Sequence, residues 1–232
     1  MNAIEARDLA KSFTGGDGGR VDVLDGVSLE VRAGELVAIV GASGAGKSTL
    51  LNLLGALDRP TRGSVQLGGD ALEGRSDEDL AALRNKRVGF VFQFHHLLRE
   101  FSAEENVMIP MRIAGWTEDA ARTRARALLT KVGLAERMSH RPAELSGGEQ
   151  QRTAVARALA LDPAVVLADE PSGNLDHLNA ERLHDEFTRH VRELGVAMVV
   201  VTHNRSLASR ADRVLVLEDG KLGSGNGREV LA

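Results

Sequence analysis

The chain contains no cysteine. That absence excludes disulfides, thiolate metal sites and cysteine nucleophiles together, and it fits a reducing compartment. No window reaches 18 consecutive apolar residues, so no segment is expected to span a bilayer. The first residues, Met1-Asn2-Ala3-Ile4-Glu5-Ala6-Arg7, lack the basic stretch and apolar core of a secretory signal. Excess charge is missing too. The formal net charge is −4 over 232 residues, which gives no global pull toward nucleic acid or anionic lipid. There is no internal repeat, heptad array or low-complexity tract, and only the tail Gly223-Ser224-Gly225-Asn226-Gly227, within 223–232, reads as flexible. What remains is 43% hydrophobic and 27% charged. That is the balance of a soluble, cytosolic chain with one large domain or two small lobes.

What is present concentrates in Gly41-Ala42-Ser43-Gly44-Ala45-Gly46-Lys47-Ser48-Thr49. An apolar run, Leu36–Val40, leads into it, and a helical-looking segment from Thr49 to Leu57 follows. This is the pattern G-x-x-x-x-G-K-[ST] in the strand, loop and helix context that gives it meaning. Backbone N–H groups that wrap a triphosphate need glycines, because side chains block the approach. A helix N-terminus adds free donors and partial positive charge. Lys47 is placed to reach the β- and γ-phosphates, and the Ser48 hydroxyl to ligate Mg²⁺. The sequence therefore predicts a nucleoside triphosphate site.

Residues 3–9 and 27–31 read as short strands around the turn-rich 14–19. Further strands are expected at Ser64–Leu67 and Arg87–Phe92, with a helix from Ser76 to Lys86 between them. From about 94 to 161 the pattern turns helical without strands. Ser102-Ala103-Glu104-Glu105 and Ser146-Gly147-Gly148-Glu149 are capping boxes, and Thr117 opens a helix to about Val132. Strands resume at Ala164–Ala168, Val196–Val201 and Arg213–Leu217, with a helix from about His177 to Leu194. Strands alternating with helices predict an α/β fold on a parallel sheet, and the helical block reads as an inserted subdomain.

Three further stretches carry chemistry. Ala164–Ala168 delivers Asp169 and Glu170 to the carboxyl edge of the sheet, where ligands of parallel α/β folds bind. Asp169 suits a Mg²⁺-holding carboxylate, and Glu170 suits a general base that polarises water. Gln93 and His203 also follow strands. A glutamine there is usually solvated and a lone histidine more often structural, but both are placed to reach the metal, the attacking water or a γ-phosphate. Ser146-Gly147-Gly148-Glu149 is at least a capped helix start. Two glycines in a first turn are poor helix formers, however, and make sense if a phosphate approaches their bare N–H groups. The chain thus carries a second anion site and one Lys-bearing loop, so a site needing both halves takes the second from another copy.

The order of the P-loop, Gln93, Leu145–Glu149, Asp169-Glu170, Ser172-Gly173-Asn174-Leu175-Asp176 and His203 resembles the ATP-binding-cassette (ABC) ATPases over residues 3 to 222. The resemblance implies a P-loop NTPase core with an N-terminal antiparallel β subdomain (about 1–93 and 162–222) and a helical signature subdomain (about 94–161). It implies two copies binding two ATP head to tail, each P-loop facing Ser146, Gly147, Gly148 and Glu149 of the other copy. Asp176 then lies at the dimer seam, His203 senses the γ-phosphate, and Gln93 links the metal to the helical subdomain. Phe13 falls where the family stacks an aromatic on adenine. Non-transport members that act on DNA or ribosomes usually fuse two cassettes or carry coiled coils. This chain has neither, nor a basic patch.

The Asn174 variant is similar to the subgroup containing the MacB, FtsE and LolD ATPases. Gly89-Phe90-Val91-Phe92-Gln93-Phe94-His95-His96-Leu97-Leu98, with Glu104–Val107 and His140–Glu144, is similar to the LolD family. That resemblance implies an ATPase on the cytoplasmic face of a bacterial inner membrane, powering lipoprotein release through separate LolC/LolE-like membrane subunits. The alternatives are a MacB-like efflux or FtsE-like cell-division complex. Phe94, Leu97, Leu98, Phe101, Met108, Met111 and Ile113 fall where the family receives a membrane partner's helix. More than half of them are expected to pack inside the helical subdomain instead, with Phe94 to Phe101 the likelier contacts.

Overall fold

The computed structural model describes residues 2–16 and 18–224, with the backbone alone for residues 190–192 and 224. The elements in order are β1 (Asn2–Thr14), β2 (Arg20–Arg32), β3 (Leu36–Val40), α1 (Lys47–Leu54), β4 (Arg62–Leu67), β5 (Asp70–Ala71), α2 (Asp77–Arg87) and β6 (Val88–Phe92). Then come α3 (Ala103–Ile113), α4 (Glu118–Lys131), α5 (Gly147–Ala158), β7 (Val165–Asp169), α6 (His177–Leu194), β8 (Ala197–Val201), α7 (Arg205–Ser209), β9 (Arg213–Glu218) and β10 (Lys221–Ser224).

Alternation along the central strands decides how these elements layer. A strand side chain points to opposite faces at successive positions. In β3, Leu36, Ala38 and Val40 join one buried cluster, which also takes in residues of α3 to α7. Val37 and Ile39 join a second cluster with residues of β1, β2, β4, α1 and α2. The strands β7 and β8 divide in the same way, Val166 and Ala168 against Val165 and Leu167, Met198 and Val200 against Val199 and Val201. Both faces are therefore covered, which explains why these runs are continuously apolar. The six-stranded sheet has the order β10-β9-β3-β8-β7-β6, with its β9, β3, β8, β7 and β6 ladders parallel. A four-stranded antiparallel sheet, β2-β1-β4-β5, lies over one face.

Three expectations need correction. The first two strands run well beyond 3–9 and 27–31, because their ladder continues out to Thr14↔Arg20 through exposed residues that burial does not mark. The tail expected to be flexible begins with a strand. Asp219 and Gly220 both take positive φ (46° and 73°), the backbone of a tight hairpin turn, and Gly223 and Ser224 pair with Val216 and Leu215. The rest of 223–232 lies outside the described residues. Of the seven apolar residues singled out above (Phe94, Leu97, Leu98, Phe101, Met108, Met111 and Ile113), only Met108 and Met111 are buried. Phe94 (67% exposed), Leu98, Phe101 and Ile113 (71%) face outward. The reason is that Val107, Met108 and Met111 already fill the inward face of α3, while the preceding loop is held by the Asn106 side chain rather than by apolar cover. Fully buried Asn106 accepts from Leu98 N at 2.8 Å and donates to the carbonyls of Leu98, Phe101 and Ser102.

The helix α5 sits directly on β6. A Cβ on Gly89 would lie 2.3 Å from the Ala158 carbonyl oxygen. Gly89→Ala is therefore expected to destabilise the fold by about 1–3 kcal/mol, the usual cost of overpacking, read as a lowered denaturation midpoint. An unchanged midpoint would contradict this packing.

Candidate functional site

The parallel register brings four strand ends to one level. Phe92 pairs with Asp169, Asp169 with Val201, and Val201 with Ile39. The residues that follow, Gln93, Glu170, Thr202 and the loop from Gly41, consequently emerge side by side at the carboxyl edge. A cleft of about 940 Å³ opens there, lined by Val21–Val23, Gly41–Ala45, His203 and Val216–Gly220.

The loop before α1 needs its glycines for separate reasons. A Cβ on Gly41 would come within 2.2 Å of the Leu217 carbonyl oxygen. Gly46 caps α1 at φ 95°, and a Cβ there would press on Val23 and Leu24. Gly44 has φ 82° with nothing within 4 Å of its Cβ position, so its bare backbone faces open space. Lys47 closes the loop on itself, its Nζ donating to the carbonyls of Gly41 (2.9 Å) and Ala42 (2.7 Å). Ser43, Ala45, Ser48 and Thr49 complete the segment, with Ser48 and Thr49 in the first turn of α1.

Asp169 ends β7 and is half-buried. Burial pushes its carboxyl above the ordinary aspartate value, and the nearby Glu170 charge adds to this. A hydrogen bond from the Ser48 hydroxyl and the Lys47 charge oppose it. Glu170 turns out of the strand at φ 43°, a left-handed backbone that a non-glycine residue adopts only under constraint. The constraint is visible: Glu170 N donates to Val201 O at 2.9 Å. Its carboxylate accepts from Thr202 Oγ1 (3.3 Å) and from His203 N (3.1 Å), and lies 2.8 Å from His203 Nδ1. Gln93 pairs with Asn174, Nε2 to Oδ1 at 3.0 Å, while Asn174 Nδ2 donates back to the Gln93 carbonyl at 3.0 Å. The sequence reading did not single out Thr202 or the partnership of Asn174 with Gln93. Thr202 was detectable only as a polar residue ending an apolar strand.

The Ser146–Glu149 turn is a reciprocal cap at the start of α5. Ser146 Oγ accepts from Glu149 N, while Ser146 N donates to Glu149 Oε2 at 2.8 Å. That N–H, with the Ser146 hydroxyl, holds the Glu149 carboxyl below the usual range. A Cβ on Gly147 would touch Leu175, and one on Gly148 would lie 3.1 Å from Asn179 Oδ1. Asp176 caps α6 and accepts from the backbone and side chain of that same Asn179. The structure therefore brings Asp176 and the Ser146 turn together. It does not join that turn to the P-loop: among the described residues no hydrogen bond links Ser146–Glu149 to Gly41–Thr49. Phe13 is 45% exposed with Lys11 Nζ 5.0 Å from its ring centre. Its ladder partner Val21 lines the cleft, and Phe13 does not.

This arrangement can cradle a polyphosphate on backbone donors and set a carboxylate base beside it. Residues 24–173 match the family model described as ABC transporter, and the chain belongs to that family. It is 54% identical over 219 residues to the lipoprotein-releasing system ATP-binding protein LolD of Geobacter metallireducens, covering 94% of this chain and 97% of that protein. The LolD of Porphyromonas gingivalis is 51% identical over 94% of this chain and 98% of its own. Among solved structures, the cassette MJ0796 in a dimeric post-hydrolysis state bound to ADP and Pi superposes with a TM-score of 0.86. It is 35% identical, over 94% of this chain and 96% of that one.

The raised carboxyl of Asp169 has a consequence for stability. A carboxyl titrating higher in the folded state costs stability wherever it is ionised, so that cost is present above the raised value and absent below 3.8. Asp169→Asn is expected to raise the melting temperature of the nucleotide-free protein at neutral pH, with the gain shrinking as pH falls through the carboxylate range. A lowered melting temperature at pH 7 would show that Asp169 is a structural ion.

Proposed function

We propose that this chain is the ATP-binding and ATP-hydrolysing subunit of an ABC transporter that powers lipoprotein release from a bacterial inner membrane. In this reading it sits peripherally on the cytoplasmic face, docked to separate membrane subunits of the LolC/LolE kind. The observation that carries the hydrolytic part is the carboxylate of Glu170, held on a strained turn and gripped by His203 at the rim of the P-loop cleft. The lipoprotein part is supported by identities of 51–54% to LolD proteins over nearly the whole chain.

In this reading Gly41–Thr49 wrap the phosphates, and Lys47 exchanges its two carbonyl partners for phosphate oxygens. Glu170 accepts the proton of the attacking water. His203 donates from Nδ1 to Glu170, and only the doubly protonated ring would also donate from Nε2 to a γ-phosphate oxygen. The donor set also fits a hard divalent cation: Asp169 is a carboxylate whose charge burial disfavours, already paired with the Ser48 hydroxyl. Ser48, Asp169 and Gln93 would hold Mg²⁺, which when bound neutralises charge on the β- and γ-phosphate oxygens. Phe13 would stack on adenine once Lys11 leaves its ring. Among the described residues, Ser146, Gly147, Gly148 and Glu149 make no hydrogen bond to Gly41–Thr49 of their own chain. They would complete the site of a second copy, with Asp176 at the seam; that the MJ0796 cassette forms a dimer supports a second copy. Phe94, Leu98 and Phe101 form the face offered to the membrane subunits.

Glu170→Gln is expected to keep ATP binding and lose about 10²–10⁴ in turnover; an unchanged rate would sink the base assignment. The same variant, tagged and loaded with ATP and Mg²⁺, is expected to retrieve a lipoprotein-release type membrane subunit from native membranes. Recovery of an efflux or cell-division subunit would replace the cargo and leave the site intact. Ser146→Arg is expected to abolish turnover and ATP-driven dimerisation while the monomer still takes up nucleotide. Dimers of normal stability would refute the shared site.

A further inference from the structure

Gln93 and Asn174 stand 81 positions apart and close a ring of two hydrogen bonds, each 3.0 Å long. The ring contains its own proof of orientation. One of its acceptors is the Gln93 main-chain carbonyl, which cannot donate, so the Asn174 amide must turn its NH₂ end that way. Its oxygen is then left for the Gln93 side chain, and only Gln93 Nε2 can face it. The end of the Gln93 amide left free is therefore Oε1. A terminal amide in solvent has two orientations of similar energy; this ring removes one of them. The backbone around it agrees. A Cβ on Gly173 would meet Gln93 Nε2 at 2.9 Å and Cδ at 3.1 Å, so the bare glycine lets the amide lie against the chain. Gly173 N in turn donates to the Glu170 carbonyl at 3.0 Å, which ties the ring to the turn carrying the catalytic carboxylate.

We propose that Asn174 is a positioning residue for hydrolysis, which locks the Gln93 amide so that Oε1 is the atom presented to the metal and the γ-phosphate. This rests on the reading of Gln93 as a metal contact. It assigns the asparagine a task distinct from the dimer-seam position of Asp176, two residues on. Asn174 itself touches neither nucleotide nor metal. Without it Gln93 spends part of its time offering an NH₂ group, which repels a cation.

The test uses the full chain with a non-hydrolysable ATP analogue, and compares Asn174→Ala, Gln93→Ala and the double variant. Nucleotide affinity is measured in EDTA and again across a Mg²⁺ titration, with Mn²⁺ binding followed by electron paramagnetic resonance as an independent readout. Asn174 is exposed in a loop, and melting curves check that each variant folds. Asn174→Ala is expected to leave affinity in EDTA unchanged and to raise the Mg²⁺ concentration for half-maximal enhancement about 2–10-fold, the range of one hydrogen bond. On the Gln93→Ala background that loss is expected to vanish, because the two residues act as one. Wild-type Mg²⁺ dependence in Asn174→Ala overturns the proposal, as does a loss that persists in the double variant or is equal in EDTA. If Gln93→Ala responds and Asn174→Ala does not, only the role of Asn174 falls. If Gln93→Ala also keeps wild-type Mg²⁺ dependence, the reading of Gln93 as a metal contact falls with it.

Discussion

The level at which the parallel strands end governs the rest of this molecule. Each of β3, β6, β7 and β8 is buried on both faces, so a slip of one residue would exchange the two core clusters and is forbidden by packing. That same register sets Gln93, Glu170, Thr202 and the P-loop at one height. The positions of the polar residues are thus decided by apolar ones. Val and Ala side chains several ångströms inside the protein determine where a carboxylate emerges at its edge.

What emerges is locally unfavourable. Asp169 carries a charge that its burial opposes. Glu170 holds a left-handed backbone that glycine would take at less cost. Lys47 spends its ammonium on two carbonyls of its own loop. In the proposed reading a cation would answer the Asp169 charge and phosphate oxygens would take over the Lys47 ammonium. The apolar sheet carries these costs, which is why they gather at its edge and are absent from its middle.

The sheet and most of the site could be read from the chain because both are written in short, strongly patterned stretches. The P-loop glycines, the Asp169-Glu170 pair and the capping boxes at Ser102 and Ser146 each follow from local chemistry, and the structure bears out the elements they predict. The α6 boundaries, His177–Leu194, match the expected helix, and the structure shows why: Asp176 caps its start and Gly195 ends it at φ 64°. What could not be read are properties of pairs distant in sequence. Nothing in Gln93 or Asn174 alone announces their mutual bonds. The outer half of the β1–β2 hairpin is held by backbone pairing, which leaves no apolar signature. The exposure of Phe94, Leu98 and Phe101 fits their place as the likelier contacts, whereas that of Ile113 escaped the pattern, since an apolar residue reads the same whether its cover lies in its own chain or in another.

That exposure lies close to the site in mechanical terms. The loop bearing Phe94 is pinned by Arg157 of α5, which donates to the carbonyls of His95 (2.8 Å) and His96 (2.7 Å). His96 holds a left-handed φ of 48° and packs its ring edgewise on Phe92, the last residue of β6. Farther up α5, fully buried Gln151 points its amide at the Phe92 carbonyl, and at its N-terminus Gly147 and Gly148 rest on Leu175 and Asn179. One rigid helix therefore touches the exposed loop at one end and the segment after Glu170 at the other. Close-packed contacts of this kind transmit displacement because the interior cannot absorb it. The twelve-residue helix α5 is thus a direct packed connection between the exposed loop and the Ser146–Glu149 turn.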